Sequence, residues 1–133
     1  MILLETKEYA LLAAEAATEK KATDVVVLDV ASTLVITDYF IIASGSTDRQ
    51  VRAVAEEIEH KLKEAGLRVI GREGEREAKW ILLDFGDVVA HVFQPDEREF
   101  YRLEKLWSDA EQLLLAPETE DAAPAVGEES SSS

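Results

Sequence analysis

Apolar residues along the chain recur with two periods. From Thr6 to about Lys21 a segment rich in Ala, Leu and Glu, with basic residues at its end, predicts a helix. The β-branched run VVVLDV, Val25–Val30, predicts a strand, and YFIIAS, Tyr39–Ser44, predicts a second that ends at Gly45. Thr47 and Gln50 have the spacing of a capping box. Val51, Val54, Ala55, Ile58, Leu62 and Ala65 follow at helical intervals until Gly66 stops the helix. On its outer face Glu56–His60, Glu57–Lys61 and Glu59–Lys63 stand four apart, as solvated ion pairs do. Leu67–Gly71 predicts a short strand, and GREGEREAK, Gly71–Lys79, a charged loop. A last helix begins at Pro95-Asp96, with Asp96 as N-cap and Phe100, Leu103, Leu106 and Trp107 as its apolar positions. Two further strands precede it, so the order αββαβββα implies an α/β fold, a mixed sheet flanked by helices.

Those two strands lie in WILLDFGDVVAHVF, Trp80–Phe93, with Gly86-Asp87 as a two-residue turn. The turn sets Phe85 against Val88, Asp84 against Val89, Leu83 against Ala90 and Leu82 against His91. Ile81 then meets Val92, and Trp80 meets Phe93. Because side chains alternate, Ile81, Leu83, Phe85, Val88, Ala90 and Val92 share one wholly apolar face, which packs on the core. Trp80, Leu82, Asp84, Val89, His91 and Phe93 share the other. Aromatics mixed with an acid and an imidazole suit a face that meets a partner, or one buried beneath a second layer of helices.

Composition narrows the chemistry. The chain has 133 residues, no cysteine and two histidines, so thiolate metal sites and disulfides are excluded. His60 and His91 lie on different elements without ligand spacing. The formal net charge is −14. From Pro117 to Ser133 there are five acids and no base; 28 acids less those five, against 14 bases, leave the remainder at −9. Such a surface is repelled by nucleic-acid phosphates and attracted to basic proteins, which implies little direct nucleic-acid contact. Residues 1–116 are read as one domain, and 117–133 as a disordered, acidic, Ser-rich tail with too little apolar surface to order itself. No signal-peptide pattern and no apolar run of membrane-spanning length is present, so no membrane partner and a cytoplasmic location are expected.

An enzymatic reading rests on IIASGSTDRQ, a strand–Gly–helix unit that presents backbone N–H groups suited to a phosphate. Gly45-Ser46 also resembles the start of a nucleotidyltransferase motif, which needs two carboxylates on a following strand to hold Mg²⁺. Asp84 and Asp87 are divided by the turn, and Ser44, Ser46 and Thr47 are equally explained by capping. The motifs do not make an enzyme, and no cofactor is expected. A metal-dependent nucleotide-handling enzyme and a self-associating scaffold module are the alternative classes.

Three blocks in one order, TDYFIIASGSTDRQ, WILLDFGDVVAHVF and REFYRLEKLWSDA, closely resemble the ribosomal silencing factor S, or Iojap-related, family, over roughly Thr6 to Ala110. The resemblance implies a nucleotidyltransferase-like fold without transferase activity. It implies a translational repressor that binds a universal protein of the large ribosomal subunit at the subunit-joining face. Binding there blocks joining of the small subunit and slows translation in starvation. Carried onto this chain, the partner-facing segment is the hairpin from Trp80 and the helix bearing Tyr101. The implied partner-binding set is Trp80, Leu82, Asp84, Val89, His91, Phe93 and Tyr101. In it Trp80, Leu82 and Phe93 are apolar anchors, while Asp84 and His91 give orientation. A homodimer of the free protein is a further expectation.

Overall fold

The computed structural model describes residues 4–31 and 37–103, and the backbone of 111–113. The elements run α1 (Thr6–Glu19), β1 (Thr23–Asp29), β2 (Tyr39–Ser44), α2 (Asp48–Glu64), β3 (Gly71–Glu73), β4 (Trp80–Asp84), β5 (Val88–Phe93), α3 (Pro95–Tyr101) and β6 (Glu111–Leu113). The fold is α/β, as the pattern implies. Its six-stranded sheet has the order β3-β4-β5-β2-β1-β6. β2 and β5 pair in parallel, and every other neighbouring pair is antiparallel.

Both long helices lie on one side of the sheet. The amphipathic pattern of α2 buries Val51, Val54, Ala55, Ile58 and Leu62. In α1 the buried positions beyond Tyr9 are all alanines, small enough for the two helices to approach closely. Together they cover Val27, Ile41, Ala43, Ile81, Leu83, Val88, Ala90 and Val92, the main core. Tyr9 donates its hydroxyl to the Ala65 carbonyl at 3.0 Å, satisfying a group left open at the end of α2. On the opposite side a smaller cluster of Leu28, Val30, Ile42 and Phe93 is covered in part by Phe40, Trp80 and Leu103. No helix among the described residues is long and apolar enough to cross a membrane.

Several local expectations need correction. Thr47 does cap α2, its Oγ1 accepting from the Gln50 N–H at 3.0 Å, but the Gln50 carbonyl oxygen takes the Ser46 N–H and hydroxyl instead of closing the box on Thr47. The freed amide donates to the carbonyls of Lys20 and Lys21 and ties the two helices together. The third strand is Gly71–Glu73, not Leu67–Gly71. Leu67 and Val69 pack on the core from a loop, whereas the charged residues Arg72 and Glu73 suit an exposed edge strand. That strand passes beside α2, so Arg72 takes Glu59, and Lys61 reaches Glu19. Glu57–Lys61 and Glu59–Lys63 persist as weaker charge contacts behind these tertiary partners, while His60 pairs with Glu64 in place of Glu56. Helix α3 starts two residues early, with Gln94 in place of Asp96 as N-cap and Pro95 at its first position, where proline's missing N–H costs nothing. It ends at Tyr101 because Arg102 turns left-handed, with φ at 51°. Phe100, expected in the core, is consequently 77 % exposed. Leu106, Trp107 and the segment from Pro117 lie outside the described residues.

Candidate interaction face

The hairpin takes the register that its turn dictates. Trp80 faces Phe93, Ile81 faces Val92, Leu82 faces His91, Leu83 faces Ala90 and Asp84 faces Val89. At the turn Gly86 adopts φ 96°, open to glycine at no steric cost, and the Phe85 N–H donates to the Val88 carbonyl at 2.9 Å. All six residues of the apolar face are buried.

The mixed face divides into a floor and a surface. Phe93 is 0 % exposed and cannot act as an exposed anchor. Strand β5 is interior, between β4 and β2, so Phe93 packs among Leu28, Val30 and Ile42 and serves as a pedestal. The Trp80 indole stacks on it, with ring centroids 4.8 Å apart. His91 is also in the floor, 5 % exposed, edge-on to Phe40 at 5.0 Å. Its orienting role is internal, because Nδ1 accepts the Trp80 Nε1–H at 3.1 Å and so fixes the indole. Asp84 is half-exposed, its Oδ1 accepting the Gly86 N–H at 2.8 Å and shaping the hairpin. Trp80, Leu82 and Val89 are half-exposed. Tyr101, 43 % exposed, leans on Trp80 at 4.6 Å, and Phe100 meets Tyr101 edge-on at 5.0 Å.

Sequence reasoning missed two members of this surface. Phe40 joins because parallel pairing sets it beside Val89. That neighbour is remote in sequence and leaves no local signal. Helical spacing alone points Phe100 to the core, but α3 ends at Tyr101, where Arg102 turns left-handed, and Phe100 stays exposed. Solvent-exposed Phe and Tyr beside a half-exposed Trp form an apolar patch of the kind that marks interaction sites.

Burial holds the His91 imidazole down to about 4 from its ordinary 6.5, through desolvation of the charged form. It is therefore neutral at pH 7, with Nδ1 the acceptor and the proton assigned to Nε2, an atom that has no hydrogen-bond partner among the described residues. The unfolded chain takes up a proton near pH 6.5 and the folded chain only near 4. Between these values the unfolded state holds more protons, so this stability is complete above about pH 6.5 and is lost as pH falls toward 4. Denaturant unfolding should show a loss of about 2 kcal/mol between pH 7 and pH 5. His91→Asn should flatten that slope; an equal slope in both proteins would assign the proton uptake to another group.

The strand–Gly–helix unit is closed by the chain itself. Ser46 spends its N–H and hydroxyl on Gln50, and Asp48 pairs with Arg52 at 3.6 Å. Among the described residues no three His, Cys, Asp or Glu side chains stand together as a metal cluster.

Residues 4–133 match the family described as ribosomal silencing factor during starvation. The chain belongs to this family. It is similar to the ribosomal silencing factor RsfS of Bacillus subtilis, 46 % identical over 107 residues, covering 80 % of this chain and 91 % of that protein. A crystal structure of a Chromobacterium violaceum protein superposes with a TM-score of 0.78 at 38 % identity, over 85 % of this chain and 93 % of the other. A mouse relative named mitochondrial assembly of ribosomal large subunit protein 1 is 33 % identical over 108 residues, 76 % of this chain and 47 % of its own length.

Proposed function

We propose that this chain represses translation by docking its Trp80 face on a large-subunit ribosomal protein and excluding the small subunit by volume and charge. One observation carries the reading: among the described residues, the sheet side away from α1 and α2 is only partly covered, and it presents Trp80, Leu82, Tyr101 and Phe100 over a floor of Phe93 and His91. Aromatic anchors on a fixed base are what concentrates binding energy in an interface. The net charge of −14 supports a basic protein as partner and disfavours ribosomal RNA. The large subunit is supported by the family resemblance and by the name of the mouse relative. No chemical step enters this mechanism, so the protein acts as a non-enzymatic stoichiometric block in the cytoplasm, where ribosomes work. In the free protein the same face is where two copies would pair.

The test mixes purified subunits with increasing amounts of factor and follows their association by light scattering. Inhibition is expected to saturate near one factor per large subunit, without nucleotide or metal, and added salt is expected to slow docking as charge steering is screened. Full inhibition at a small fraction of that ratio would mean turnover and would end the steric model.

A further inference from the structure

Parallel strands β2 and β5 end side by side, with the Gly45 N–H on the Phe93 carbonyl at 2.8 Å, and their chains then part. From β2 the chain enters α2, on the main-core side; from β5 it enters α3, whose Tyr101 lies against Trp80 on the other. In open α/β sheets such a divergence at the carboxyl ends of parallel strands opens a crevice that takes ligands. Here it forms a cleft of about 670 Å³, within the range of small-molecule sites.

The lining is chemically mixed. Arg98 reaches across from α3 and donates Nη1–H to the buried Ser44 hydroxyl at 2.7 Å, which holds its guanidinium at the wall. Arg102 brings a second guanidinium, engaged by Glu99 at 2.6 Å. Asp24 also lines the cleft, at a register break in β1 between Thr23 and Val26. Asp24 and Arg102 both have φ of 51°, a left-handed conformation unusual for non-glycine residues. Bulges and such backbone outliers concentrate where a ligand is clamped.

We propose that this cleft binds a nucleotide. The Arg98 and Arg102 forks fit phosphate oxygens, Asp24 fits the donors of ribose hydroxyls, and Val26 and Pro95 supply an apolar wall. The strongly negative chain opposes a long polyanion, which selects a ligand with one or two phosphates over an RNA backbone. The site shares α3 with the Trp80 face through Tyr101, but it does not rest on the docking proposal.

Titration of the full chain with ADP, adenosine and inorganic phosphate, read by calorimetry and amide NMR shifts, tests the assignment without any ribosome present. ADP is expected to give saturable shifts in Thr23–Val26 and Arg98–Arg102, with adenosine and phosphate each at least tenfold weaker. Arg98→Gln and Arg102→Gln should each weaken ADP by tenfold or more, the second guarding against any local effect of the lost Ser44 bond. Glu99→Gln, which removes a competing anion, should tighten it severalfold. Absence of saturable shifts at millimolar ADP, affinity unchanged in both arginine variants, or phosphate binding as tightly as ADP would overturn the proposal.

Discussion

Trp80→Ala is expected to cut affinity for the large subunit more than about tenfold, while the chain still unfolds in one cooperative step. Truncation of an aromatic anchor at an interface commonly costs about 2 kcal/mol or more. Trp80 is half-exposed and belongs to the smaller cluster, so the main core of Ile41, Ile58, Leu62, Ile81 and Leu83 is untouched by its loss. Lost burial against Phe93 and Tyr101 should still lower fold stability by about 2 kcal/mol. Trp80→Phe keeps the stacking and loses only the bond to His91, and its affinity should fall between the two. Subunit binding by sedimentation, beside a thermal melt, separates the effects. A folded Trp80→Ala protein that binds like its parent would remove this face from the docking model.

Gly74→Ala should be the most damaging single-methyl change at a glycine in the chain. Gly74 has φ 85°, and a Cβ there would stand 1.9 Å from the Trp80 carbonyl oxygen, a backbone atom with nowhere to move while β4 stays paired. The left-handed conformation alone costs about 1–2 kcal/mol in an L-residue, and relief of the clash must shift the start of β4. We expect a loss of about 3 kcal/mol or more in urea unfolding, with weakened docking because Trp80 itself is displaced. Gly71→Ala is the control: no atom lies within 4 Å of its added Cβ, and its stability should stay within about 1 kcal/mol of the parent. Equal effects at the two positions would mean that the approach to Trp80 is not what requires Gly74.

The hairpin was legible from sequence in full, register included, because a two-residue turn fixes pairing by counting outward from Gly86. The α2 core positions were legible for the same local reason, a single helical period. What failed was non-local. Nothing near Tyr39–Ser44 reveals that its partner is Val88–Phe93, so neither the burial of Phe93 nor the arrival of Phe40 followed from strand alternation. Alternation places a side chain on a face but does not say which neighbour covers it. Glu59 and Lys61 show the same limit for charge, since spacing offered them partners along the helix and folding supplied better ones across it. His91 carried the right polarity for an interface but spends it holding the indole in place, while one oxygen of half-exposed Asp84 holds the turn.

The parallel ladder between β2 and β5 has a consequence for the order of folding. Every strand on one side of it precedes α2, apart from the short β6, and every strand on the other follows α2. Apart from the edge where β6 returns to β1, the sheet is thus two halves joined at one parallel seam, and closing that long loop carries an entropy cost that local hairpin formation does not. Ile42 and Phe93 come from opposite halves, so the floor beneath Trp80 does not exist until the seam closes. A chain still emerging during its own synthesis therefore carries the tryptophan before its pedestal, and on the docking proposal it gains its binding face only once β5 is free to pair.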